Sequence, residues 1–88
     1  MKIKEGFTLK TVAGACVVLP PASENLNFGG MLSLNPTGRM LWLLLDEGLD
    51  RKEMAQALTK EFEVSYETAQ ADVDAFLDKL LKAGCIEL

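Results

Sequence analysis

The sequence contains no histidine. That removes the commonest general base and the commonest metal ligand together. Only two cysteines are present, Cys16 and Cys85, far apart along the chain. A zinc site needs three or four suitable ligands held close together, so these two cannot form one. No glycine-rich phosphate loop appears either: Gly29-Gly30 has no lysine behind it and no helix starting on it. The longest apolar run, Met40 to Leu45, is far too short to span a bilayer. The opening Met1-Lys2-Ile3-Lys4-Glu5 is charged where a secretory signal would be apolar. Basic residues are also short, with 9 Lys and Arg against 13 Asp and Glu, a net charge of −4. Catalysis by the chain alone, a metal or other cofactor, and membrane insertion are therefore not expected.

The charge is unevenly placed. Residues 1–47 balance four cations against four carboxylates, so the whole deficit lies in residues 48–88. An acidic half repels phosphate backbones and anionic membranes. Without a secretory signal the setting expected is cytoplasmic, with reduced thiols. Both cysteines then read as small buried hydrophobes rather than as a disulfide. Hydrophobic residues reach 49%, enough for a real core. A chain of 88 residues is expected to form one domain over 1–88.

Phe7 to Val12 alternates apolar and polar residues, Ala13-Gly14 is a two-residue turn signal, and Cys16 to Leu19 is the returning strand. Pro20-Pro21 ends it, because proline has no amide to donate. Gly30-Met31-Leu32-Ser33-Leu34 reads as a third, very short strand. Asn35-Pro36 opens a first helix, with Leu41, Trp42 and Leu45 facing inward and Gly48 stopping it. Asp50 to Glu53 is a capping-box opening for a second helix whose stripe is Met54, Leu58 and Phe62. Ser65 caps a third helix with Ala69, Val73, Phe76, Leu77 and Leu80 on one face. Gly84 ends it, and Cys85 to Leu88 is a short apolar tail. Three strands followed by three helices is an α+β arrangement.

Candidate chemistry is thin. Asp72, Asp74 and Asp78 form a run of carboxylates on the third helix, which reads as a solvated acidic face. Ser33 and Thr37 lack a base and are not credible nucleophiles. Three helices beside a small sheet also raise DNA binding. The expected reading helix, residues 65–83, carries Glu67, Asp72, Asp74 and Asp78 against Lys79 and Lys82, a net of −2. A helix of that sign does not suit a groove lined by phosphates.

A short apolar strand at a sheet edge leaves backbone groups unpaired, and one use for them is to accept a peptide as an added strand. Gly29 and Gly30 would let another backbone approach, and Met31 and Leu32 offer adaptable apolar contacts. The plainer reading keeps Met31, Leu32 and Leu34 as core.

Residues 32–48, LSLNPTGRMLWLLLDEG, together with residues 62–88, FEVSYETAQADVDAFLDKLLKAGCIEL, resemble the PqqD-like family of peptide-recognition elements. The resemblance is carried by Leu34, Asn35, Thr37, Gly38, Leu41, Trp42, Leu44 and Leu45. Further along it rests on Phe62-Glu63-Val64, Asp72, Val73, Phe76, Leu77, Leu80 and Gly84. It implies a small winged-helix-like domain, a three-stranded antiparallel sheet followed by three helices. It also implies a chaperone without chemistry of its own. Such a chaperone binds the leader of a ribosomally made precursor peptide beside its third strand. It passes the peptide to a modifying enzyme, often a radical S-adenosylmethionine enzyme. The residues expected to meet the peptide are Gly29, Gly30, Met31, Leu32, Ser33 and Leu34, with Asp72, Phe76, Lys79 and Leu80 of the third helix opposite. Lys79 is expected to meet an acidic leader residue. The other readings are a module that docks an enzyme without binding a leader and a winged-helix regulator. The chain would be a monomer or a dimer paired through the same edge.

Overall fold

Ala13 and Gly14 both adopt positive φ, 52° and 83°. This is the pair of left-handed residues that a two-residue type I′ hairpin requires. The turn joins β2 (Thr8–Val12) to β3 (Ala15–Leu19), and Val12 faces Ala15 across it. The computed structural model describes residues 1–21 and 32–87. β4 (Leu32–Leu34) adds antiparallel to the far side of β3, with Cys16 opposite Leu34 and Val18 opposite Leu32. The sheet order is β2-β3-β4. The period of two puts Leu9, Cys16, Val18, Leu32 and Leu34 on one face, where they pack into the core.

Among the described residues, three helices pack against that face. α1 (Pro36–Asp46) starts one residue after β4. The side chain of Asn35 accepts from the Gly38 amide at 2.7 Å, and Pro36 takes the first helical position. α2 (Arg51–Phe62) begins with the expected capping box: Asp50 accepts from the Glu53 amide at 2.8 Å, and Glu53 accepts from the Asp50 amide at 3.0 Å. α3 (Tyr66–Ala83) is capped by Ser65 and closed by Gly84 at φ +81°. Val18 of β3, Leu41, Leu45, Met54, Leu58, Val73, Leu77, Leu80 and Cys85 are the largest side chains almost wholly withdrawn from solvent. One core therefore joins all three helices to the sheet.

The α+β order of three strands and three helices is as the sequence suggests, with two differences. Phe62 does not join the stripe of Met54 and Leu58; it is 41% exposed. Its angular position is suitable, but it is the last residue of α2. Glu63, its C-cap, takes a left-handed φ of 51° and ends the helix there. The residues after Gly84 are also more than a tail. β5 (Ile86–Glu87) pairs antiparallel with β1 (Lys2–Ile3) as a separate two-stranded ribbon. The Lys4 amide donates to the Cys85 carbonyl at 3.0 Å, Lys2 and Glu87 form a surface ion pair at 3.5 Å, and Ile86 is buried. Two-residue strands carry no periodic signal, so the pattern of the chain could not announce them.

Candidate functional site

β4 is an edge strand, and among the described residues no strand pairs with its outer side. The register decides which backbone groups face outward. In a type I′ hairpin the residues flanking the turn exchange hydrogen bonds, so Val12 and Ala15 are a bonded pair. Bonded and non-bonded pairs alternate along an antiparallel ladder. Lys10 and Val17 are then bonded, and the N–H and C=O of Val17 point to β2. Cys16 and Val18 point the other way, to Leu34 and Leu32. Ser33, opposite Val17, is left with both its N–H and its C=O on the open side. Its side chain is exposed, whereas Leu34 on the opposite parity is buried.

Beside this edge lies a groove of about 310 Å³. One wall is the β4–α1 corner: Leu34, Asn35, Thr37 and Gly38. The other is one side of α3: Asp72, Ala75, Phe76 and Lys79, with Leu41 also contributing. Gly38 is what lets the walls meet. A Cβ there would lie 3.4 Å from both Leu34 Cβ and Phe76 Cε1, and 3.3 Å from Asn35 Oδ1. Phe76 is 8% exposed, so it gives the groove an apolar floor while its body belongs to the core.

Asp74 binds Arg51 at 2.7 Å and Asp78 binds Lys82 at 3.0 Å, both at the surface. Asp72 and Lys79 make no ion pair with any described residue. Another hollow of about 350 Å³ lies between α2 and α3, around Lys52, Tyr66 and Gln70, with the Arg51–Asp74 pair on its rim. Among the described residues no strand lines it. The two hollows flank α3 on opposite sides of its buried stripe, as the steps of about 100° per residue require.

Of the expected peptide-facing residues, Leu34, Asp72, Phe76 and Lys79 come together in the groove. Leu32 and Ser33 form the edge beside it. Leu80 has no exposed surface and backs the wall from inside the core. Gly29, Gly30 and Met31 lie outside the described residues. Asn35, Thr37, Gly38, Leu41 and Ala75 line the groove without having been singled out for it. Gly38 carried a usable signal, since glycine inside a helix costs about 1 kcal/mol relative to alanine and so implies a close neighbour.

Among the described residues no group of three His, Cys, Asp or Glu could hold a metal. Burial pushes the Cys85 thiol above its ordinary value, the reverse of what activates a nucleophile. Cys16 and Cys85 are both free thiols. Among the described residues no helix is long and apolar enough to cross a membrane.

The profile of the family described as Coenzyme PQQ synthesis protein D (PqqD) matches residues 15–86. The chain belongs to the PqqD family. The match runs from the start of β3 to the first residue of β5, so both walls of the groove lie inside it. Two solved structures are similar over nearly their whole length. One is TbiB1 in complex with the TbiA(beta) leader peptide; it has a TM-score of 0.82 and 26% identity, with 99% of this chain and 95% of that one covered. A second is a lasso peptide synthetase B1 complexed with the leader peptide, with a TM-score of 0.79 and 25% identity, covering 96% and 93%. No curated protein matches the chain.

Proposed function

We propose that this PqqD-family chain binds the leader segment of a ribosomally made precursor peptide and presents it to a modifying enzyme. The observation that carries the reading is the open backbone of Ser33 running beside a groove floored by Phe76 and Leu34. An extended peptide pairing with Ser33 becomes the fourth strand of the sheet. Alternate side chains then drop between β4 and α3, so the backbone supplies affinity and the pockets supply selectivity. Leader peptides bound to both similar structures support the same reading. The domain's work is binding, and the modification belongs to the partner. The family resemblance makes a radical S-adenosylmethionine enzyme the expected class of partner.

An amide NMR titration with the precursor's leader tests this. The expected result is shifts concentrated at Leu32 to Leu34 and at Asp72, Ala75, Phe76 and Lys79. Shifts confined to the α2–α3 hollow, or none, would replace the reading with that of an enzyme-docking module.

A further inference from the structure

We infer that the groove selects an extended peptide carrying opposite charges four residues apart, with an apolar residue midway between them. This inference rests on the peptide-binding reading and adds the pattern that the groove reads. Asp72 and Lys79 stand on the same wall, seven residues apart on α3, or about 10 Å along the helix axis. Phe76 lies between them, packed close to Gly38 and Leu34, so the centre of the groove is apolar and its two ends are oppositely charged. Neither end charge is neutralised by a described residue. The acids next to them in sequence, Asp74 and Asp78, are already held by Arg51 and Lys82.

A strand added beside β4 presents every second side chain to the groove, at intervals of roughly 6.7 Å. For a strand laid along α3, residue i+2 over Phe76 puts residues i and i+4 near the two ends, about 13 Å apart. Long charged side chains lean inward across the remaining few ångströms. The matching segment has a basic residue facing Asp72, an aliphatic residue over Phe76 and an acidic residue facing Lys79. Which charge comes first along the peptide follows from the direction in which the strand adds. One order fits, and the reverse sets like charges against each other at both ends.

The test uses three short blocked peptides that differ only in their central pentad: Lys-x-Leu-x-Glu, Glu-x-Leu-x-Lys and Gln-x-Leu-x-Gln. Each is titrated into the whole chain and followed by amide NMR. One charged order should bind roughly fivefold tighter than the glutamine peptide, and the other should bind more weakly, since two exposed pairs contribute a few tenths to 1 kcal/mol each. The Asp72→Lys, Lys79→Asp double variant should exchange the ranks of the two charged peptides. Asp72→Asn and Lys79→Gln, which each remove one charge, should each narrow the gap between them. Equal binding of both charged orders to the parent chain, or unchanged ranks on the double variant, overturns the inference and leaves peptide binding standing. Failure of every peptide, the native leader included, to shift Leu32 to Leu34 overturns both.

Discussion

The three-stranded sheet has two edges, and they differ in what stands beside them. β2 is five residues long, and its packing is mainly against β3. Thr8, Lys10, Thr11 and Val12 are all exposed. Its outward backbone groups belong to Leu9 and Thr11, the residues opposite Val18 and Cys16 in the non-bonded pairs. β4 is only three residues long, yet α1 begins one residue beyond it and α3 runs along the far side of a groove. Both edges offer hydrogen bonds. Among the described residues, only the β4 edge adds a second wall that can read side chains. An open strand is thus not by itself a specific site; β2 carries exposed Lys10 and Thr11, in keeping with an edge that discourages pairing.

The largest effect should come from taking that wall away. Phe76→Ala is expected to lower stability by about 3–5 kcal/mol, a large share of what a small domain possesses. Val12→Ala on the β2 edge should change it by no more than about 0.5 kcal/mol. Urea unfolding of the two variants measures both. Next comes the strand itself. Ser33→Pro removes the outward amide and no bond to β3, so the fold should hold while leader affinity drops about tenfold or more, because a peptide carbonyl left buried and unpaired costs about 1–3 kcal/mol. Thr11→Pro makes the same change on the other edge and should leave leader binding as it was. Equal losses from the two prolines in a titration would erase the distinction between the edges.

Two smaller effects sharpen it. Asn35→Ala frees the Gly38 amide where β4 turns into α1, and should cost about 1 kcal/mol in thermal or chemical unfolding. Arg51→Ala breaks the pair with Asp74 on the opposite side of α3. Both side chains are largely exposed, so stability should fall by less than about 1 kcal/mol, and leader affinity should not move.

Much of the fold could be read from the chain, because its signals are local. Asn35-Pro36, the Asp50–Glu53 box, Ser65 and Gly84 mark helix ends by chemistry that needs no knowledge of the rest of the molecule. The β1–β5 ribbon joins residues from opposite ends and has no such mark. The lining of the candidate groove was legible in part. Asp72, Phe76 and Lys79 border the apolar stripe of α3 on one side, and helical spacing alone suggests that they share a wall. Leu80 was placed with them, but it lies about 40° further round than Phe76, at the middle of the stripe, where the core takes it entirely. The outward amide of Ser33 was beyond reach, since it depends on the turn type and on two strand registers taken together. The exposure of Phe62 depends on where the core stops, and periodicity is silent about that.

The terminal ribbon has a topological consequence. With Lys2 beside Glu87, the chain enters and leaves the fold at a single place, the two backbones separated by only a strand-to-strand distance of about 5 Å. A host protein could therefore carry this domain as a cassette in one of its surface loops, entering and returning through the same gap. A short linker across that gap and a new opening at Ala13-Gly14 would make a circular permutant in which the β4 edge and α3 remain in one uninterrupted stretch.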